Sequence, residues 1–546
     1  MLIKKILSAV ISSALLLSAG GCGLSGNEDD KEIKVFTGFY GTSGIEIAQD
    51  NDIMELIAEK TGVKLEQTWL FEQDSANRMF SDMIVSNKYP DYIYADAENC
   101  HKLIKEGAFI PIDKYWDDYP LLKSFCKESE WDRIRSEDGH IYYIPLFSSI
   151  NGKTTETVYS GEAFWIQLKV LKWADYPEIK TLDEYFDLLE RYMRYNMYNE
   201  NGDKNIGYEI LATNNTFFAV DNPPMFLDGY PNDGCCIVDP DSLDARDYNL
   251  SDTAKLWFKK LNEEYSKGII DPECFVQNSD QYYQKIASGR VLGMVDQYWN
   301  FSQAANDLPP ECTYIPLNVT IDESIEGRYR SRSTFNDSTG VGVSVSCSDP
   351  DAAVKFMNDL LSPEIELLRF WGIEDVDYTV DENGIFRQSQ KQIDRWFSNS
   401  YYSYSHICMY NYMPYHMGQA PDKINAYCPS YQEETFFERQ PPLVQECFKA
   451  YNNKTFVDFM NEPDENPPWF PMWTYSNTLT NDTDYGRVMK QIDNEKHRYL
   501  PLLVMSGDFD AQWEKYEEAY KQIDTEIYFN ALSAEVRRRC GINEKE

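Results

Sequence analysis

Apolar residues in the first part of the chain recur with alternating strand-like and helix-like periods, and those periods set the expected fold. Ile33-Lys34-Val35-Phe36 reads as a short strand, followed by a glycine-punctuated loop from Gly38 to Gly44. A helical stretch then runs to Lys60 and stops at Gly62. Val63 to Trp69 reads as a second strand, Ser75 to Val85 as a helix, and Asp91 to Ala95 as a third strand. Strands alternating with helices in this way predict a parallel sheet with crossover helices. Ligands of such sheets sit beyond the carboxyl ends of the strands. Phe39, Tyr40, Trp69, Asp96 and Glu98 are therefore expected near one mouth.

The same reading continues downstream. Thr181-Leu182-Asp183-Glu184 forms a capping box ahead of Tyr185, Leu188, Leu189 and Tyr192 at helical spacing. Ser251 precedes Ala254, Trp257, Leu261 and Tyr265, with Gly268 as the stop. Asp349-Pro350 opens a further helix with Phe356, Met357, Leu360 and Leu361 on one face. Short β-like segments at Val291 to Val295, Thr313 to Pro316 and Val341 to Val345 keep the α/β alternation going. These apolar stripes are core positions.

The N-terminus has a different pattern. Lys4 and Lys5 precede an apolar and small-residue run from Ile6 to Leu17, then Ser18-Ala19-Gly20-Gly21-Cys22, the layout of a secretory signal peptide. The run is about a dozen residues, against the roughly 20 needed to cross the hydrocarbon core, so cleavage rather than retention is expected. Gly23 to Glu32 is polar and flexible in composition, as a tether requires.

Composition then narrows the partners. A body running from 33 to 546 is too long for one compact core, so two or more lobes are expected. The net charge of −39 repels nucleic acid and anionic headgroups, and neither is expected as a partner. Aromatic residues make up 14% of the chain, enough to fill cores and still line a groove that stacks on flat apolar faces. Of the 12 cysteines, those after Cys22 are odd in number and lack a C-x-x-C spacing. Buried free thiols are the expectation, and a zinc site is not.

Several segments resemble, in order, a family-one extracellular solute-binding protein, the sugar-binding component of ABC importers, in its larger lipoprotein branch. They are Tyr89 to Ile93, Leu103 to Asp113 (LIKEGAFIPID), Asp138 to Pro145 (DGHIYYIP), Lys180 to Leu189, Tyr265 to Pro272 (YSKGIIDP), Ile286 to Met294 (IASGRVLGM) and Ser348 to Leu361. Pro467 to Thr474 (PPWFPMWT) and Phe509 to Tyr516 extend the likeness toward the C-terminus. Cys22 after small residues resembles a lipobox, with Ala19 where that motif usually has leucine.

The resemblance implies an α/β fold of the two-lobed periplasmic-binding-protein type II kind, with several inter-lobe crossings and a ligand held as the lobes close. It divides the chain into a signal peptide (1–21), a lipidated tether (22–32) and a solute-binding body (33–546). Lobe 1 takes about 33–147 and 335–370, and lobe 2 about 148–334 and part of 371–546. It further implies an oligosaccharide ligand, an ABC permease as partner, a monomer held at the outer face of the cytoplasmic membrane by lipid on Cys22 alone, and no cofactor.

By the same resemblance Trp299, beside Tyr298, occupies the place of a sugar-stacking tryptophan; a core position is the competing reading. Trp165 and Gln167 lie where the family presents a second-lobe contact, although Gln167 and Lys169 replace a common arginine and aspartate. Trp469 and Trp473 are candidate rim aromatics. Asp96 and Glu98 are candidate acceptors for hydroxyls or ordinary surface. Arg328, Arg330 and Arg332 either form a solvated loop or face the cleft and favour an anionic sugar. Asn196 to Gly207 places Tyr198 and Lys204 where a calcium loop needs oxygens, so no calcium is expected there.

An enzyme is the alternative class. A glycoside hydrolase needs two carboxylates across a cleft, which 90 acidic residues allow but no motif supports. G-x-S-x-G and H-E-x-x-H do not occur, and Ser124 to Lys127 and Lys60-Thr61-Gly62 match S-x-x-K and K-T-G in the reverse order. Binding of a peptide or another solute is the second alternative.

Overall fold

The computed structural model describes residues 33–542, apart from 43, 45, 71, 147–148, 214–215, 332–334, 399–403 and 464–465. The signal peptide, Cys22, the tether and Arg332 lie outside the described residues.

The first sheet is built from β1 (Lys34–Tyr40), β2 (Val63–Trp69), β3 (Tyr92–Tyr94), β4 (Ile144–Pro145) and β11 (Gly340–Val343), in the order β2-β1-β3-β11-β4. The β1–β2 and β1–β3 pairs are parallel, as the strand–helix alternation requires. Strand β11 returns from far along the chain and pairs antiparallel with β3 and β4. The connecting helix Asp52–Thr61 begins where the Asn51 side chain accepts the Met54 N–H at 2.9 Å. It ends at Gly62, whose φ of 75° is the left-handed conformation glycine adopts without a Cβ penalty.

The second sheet is antiparallel, in the order β10 (Tyr314–Leu317), β6 (Glu162–Gln167), β9 (Gly293–Gln297). Every residue of β6 is buried, because it is the central strand and has helices packed against it. The helix Leu182–Tyr195 starts with the expected reciprocal cap: Glu184 N–H donates to Thr181 Oγ1 at 3.3 Å, and Thr181 N–H to Glu184 Oε2 at 3.0 Å. Its Tyr185 hydroxyl donates to the Trp165 carbonyl at 2.7 Å, and a Cβ on Gly293 would lie 2.3 Å from that hydroxyl. Glycine is thus what lets the helix lie flat on β9. Three two-stranded pairs complete the β-structure: β5 (Ile150–Asn151) with β14 (Met417–Gly418), β7 (Ile237–Val238) with β8 (Ala245–Arg246), and β12 (Thr379–Val380) with β13 (Phe386–Arg387).

Two large apolar cores result. One surrounds the first sheet and draws on residues from Phe36 to Leu146, Phe335 to Ile365 and Trp396 to Met413. The other surrounds the second sheet and draws on Tyr159 to Tyr329 and Phe436 to Val536. A small cluster around Trp371 and Phe386 sits apart from both. The chain therefore passes between the large cores after Leu146, after Tyr329 and between Met413 and Phe436. Arg369 explains why the segment near 410 belongs with the first sheet: fully buried, its guanidinium donates to the carbonyls of Leu360, Met409, Tyr410, Met413 and Pro414. The eleven cysteines of the described residues are all free thiols, and nine of them are buried, acting as small apolar side chains.

Candidate functional site

A cavity of about 1310 Å³ opens on the second sheet's side of the molecule. The start of β6 supplies Glu162, the end of β9 supplies Gln297, the helix Tyr298–Ala305 that follows supplies Trp299, and the short helix Phe218–Asp221 supplies Phe218 and Asp221. Lys496 and His497 come from the helix Asp484–Met505, and Trp473 from the start of the short helix Trp473–Ser476 after the proline-rich loop. Met417 of β14 reaches it from the crossing region.

The apolar wall is aromatic. Trp299 is 59% exposed, unusual for so large an apolar side chain, and lies with its ring centroid 6.3 Å from that of Phe218. Its indole N–H donates to Gln297 Oε1, which fixes the ring. Phe217 stacks on His497 at 3.9 Å, and burial holds that imidazole below its ordinary value.

Two opposed couples of charges stand at the cavity, and Lys490 and Asp493 line it as well. Lys496 Nζ lies 2.6 Å from Asp221 Oδ2. Burial alone lowers the Lys496 ammonium, but Asp221 and Asp493 outweigh it and hold it above its ordinary value. Arg330 Nε lies 3.6 Å from Glu156 Oε2. Glu162 has no cation: its Oε2 accepts from the amides of Asn222 at 3.0 Å and Asn232 at 2.8 Å, while its buried Oε1 has no partner. Burial pushes this carboxyl up to about 8, so it is protonated at neutral pH.

Asp233 plays a different part. Its oxygens accept the backbone N–H groups of Met472, at 2.9 and 3.0 Å, and of Trp473 at 2.9 Å, and so hold Trp473 at the cavity wall. With Cys235 and Cys236 it forms a group within 4.8 Å that is close enough for a metal ion. The carboxylate is occupied by those backbone donors, however, and both thiols are held above their ordinary value, Cys235 chiefly by burial.

The residues singled out from sequence fall in several places. Trp299 and Trp473 both line the cavity. Tyr298 is half-buried against Trp165, with ring centroids 5.6 Å apart. Trp165 and Gln167 are buried in the sheet: the Trp165 indole donates to the Asp296 carbonyl at 2.7 Å, and the Gln167 amide reaches the Gly289 carbonyl at 3.3 Å. Trp469 is 7% exposed and packs in the second core. At the carboxyl ends of the first sheet, buried Tyr40 stacks on Trp69 at 4.7 Å, and Tyr94 and Tyr412 pack beside them. A Cβ on Gly44 would lie 2.1 Å from the Trp69 ring, so the glycine loop covers part of that indole. Asp96 caps the helix Ala97–Lys105 by accepting from Asn99 N–H at 2.9 Å, and Glu98 is an exposed residue 3.9 Å from Lys102. Of the arginine run, Arg328 is exposed and Arg330 lines the cavity.

Sequence reading missed Glu162, Asp221, Lys496 and the Arg330–Glu156 couple. Glu162 left one signal: a carboxylate opening the otherwise apolar stretch Ala163 to Ile166. Lys496 left none, since its partner lies 275 positions away and a charged residue in a long helix reads as solvated face.

The family model described as bacterial extracellular solute-binding protein matches residues 53–371, more than half of the chain. The chain belongs to that family, whose members act outside the cytoplasm. Comparison with curated proteins returns no match. Similar solved structures include the ABC-transporter substrate-binding protein FusA of S. pneumoniae in complex with kestose (16% identity, TM-score 0.63, 93% of this chain and 100% of that one). The alginate-binding protein AlgQ2 without calcium is similar at 15% identity and TM-score 0.60, over 93% of this chain and 98% of that one. An HMO-binding, ABC-transporter-associated solute-binding protein of Bifidobacterium longum infantis aligns at 15% identity and TM-score 0.58, over 92% and 98% of the two chains. This structural overlap, over nearly the whole of each chain, shows a shared two-lobed fold. No helix among the described residues is long and apolar enough to cross a membrane.

Proposed function

We propose that the protein is a lipid-anchored extracellular receptor that captures an oligosaccharide between its lobes and delivers it to an ABC permease. The observation that carries this reading is the cavity of about 1310 Å³, in which exposed Trp299 stands beside paired, hydrogen-bonding charges. A flat apolar ring suits the face of a pyranose, and the polar groups suit its hydroxyls. Membership of an extracellular solute-binding family supports it, as do the carbohydrate ligands named for the similar structures. The ligand is bound and released unchanged by a receptor that acts as a monomer. Lipid on Cys22 keeps the receptor beside its permease and so raises their effective concentration.

A thermal-shift screen of neutral oligosaccharides against peptides of similar mass tests the reading. Binding to the folded state alone raises the unfolding temperature. At least one oligosaccharide is expected to do so; a response to peptides and to no oligosaccharide would overturn it.

A further inference from the structure

The cavity's charge arrangement deepens the oligosaccharide reading, on which this inference rests. Of the three cations that line the cavity, buried Lys496 has Asp221 at 2.6 Å, half-buried Arg330 has Glu156 at 3.6 Å with its Nε beyond hydrogen-bonding reach, and Lys490 is exposed; they face five carboxyl groups, those of Glu156, Glu162, Asp221, Asp233 and Asp493. A carboxylated sugar that took Lys496 or Arg330 from its partner would leave that partner as an uncompensated carboxylate, and pairing with exposed Lys490 alone would contribute little. A neutral polyol incurs no such cost. Each couple offers donors and acceptors side by side, the pattern that adjacent hydroxyls satisfy.

Among the described residues, Glu162 adds the one buried acidic oxygen at the wall without a partner. The side chain is 2% exposed, its Oε2 is held by Asn222 and Asn232, and Oε1 is left over. An orphaned buried oxygen is costly, and a ligand that satisfies it gains what folding left unmade. The amides occupy Oε2, so in the protonated acid the proton sits on Oε1 and is donated to the ligand. An anionic ligand group facing the ionised acid would be repelled.

We propose that this cavity selects uncharged oligosaccharides over acidic ones, with Glu162 Oε1 as the buried hydrogen-bonding anchor that reads the ligand.

Calorimetric titration of the purified protein with maltotetraose, mannotetraose, kestose and tetragalacturonate tests it. The tightest neutral glycan is expected to bind at least about tenfold more tightly than tetragalacturonate, roughly 1.4 kcal/mol. Glu156→Gln, which frees Arg330, is expected to narrow that ratio by strengthening tetragalacturonate. Glu162→Gln is expected to bind within about threefold of wild type, because its amide occupies the same place as the neutral acid. Glu162→Ala is expected to lose about tenfold or more. Tetragalacturonate equalling or exceeding every neutral glycan overturns the selectivity, and unchanged affinity in Glu162→Ala overturns the anchor. If neither these four nor any other carbohydrate binds, the oligosaccharide reading itself falls.

Discussion

Arg539, in the last turn of the helix Glu526–Arg539, places Nη2 3.1 Å from Oδ2 of Asp337, which lies just ahead of β11. Both side chains are almost fully buried, at 2% and 5% exposure. The same Oδ2 accepts from Arg133 Nε at 3.0 Å. Arg133 belongs to a helix of the first core and Arg539 to a helix of the second, so one carboxylate oxygen ties the two together.

Removing that carboxylate leaves two buried guanidinium groups to share Glu535, which lies 2.7 Å from Arg539 Nε. Asp337→Ala is therefore expected to cost about 3–5 kcal/mol, the range for breaking a buried ion pair from one side. Urea unfolding monitored by circular dichroism measures it. A loss below about 1 kcal/mol would show that the network does not hold the cores together.

Stability should fall as pH rises through neutrality. Burial pushes Glu162 up to about 8 and Asp296 up to about 7, against ordinary values of 4.5 and 3.8. Between those limits the folded state holds protons that the unfolded state has lost, so each group lowers stability by up to about 1.4 kcal/mol per pH unit. The contribution is fully present below about pH 4 and gone above about pH 8. Glu162→Gln removes one of the two, and unfolding free energies measured from pH 5 to 8.5 should show a shallower slope. An identical slope would mean that Glu162 is ionised in the folded protein.

Two tryptophans, Trp165 within β6 and Trp299 just past the end of β9, should respond oppositely. Trp299→Ala is expected to weaken ligand binding by about 1–3 kcal/mol with little effect on stability, because the ring is exposed at the cavity. Trp165→Ala is expected to cost about 3–5 kcal/mol of stability, because the ring is 1% exposed between Tyr298 and Phe301. Thermal melts and affinity measurements on the two variants separate the roles.

Cys22→Ala should release the protein from the membrane fraction into the medium, as judged by fractionation of expressing cells. Retention in the membrane fraction would contradict the lipid anchor.

Local signals carried much of the fold. The periodicities located β1 to β3 and their helices within a few residues, and Asn51, Thr181 and Ser251 cap helices through their side chains. The antiparallel return of β11 was not legible, because its pairing with β3 joins residues 247 positions apart, Tyr94 with Val341. Nor was the attachment of residues 396–413 to the first core, which depends on Arg369 finding five carbonyls. For the site, aromatic positions were accessible to motif comparison, and Trp299 and Trp473 line the cavity. Trp165 shows the limit: a strand position says that a ring faces one side of a sheet, and only the packed helices show that this side is core. Glu162 and Lys496 acquire meaning from partners distant in sequence, such as Asn222, Asn232 and Asp221.

The most direct measurement is isothermal titration of the purified body, wild type and Trp299→Ala, with neutral oligosaccharides and with peptides. A saturable one-to-one heat with at least one oligosaccharide, weakened by about 1–3 kcal/mol in the variant, is the predicted result. Binding of peptides with no oligosaccharide response, or equal affinity in the two proteins, would contradict it.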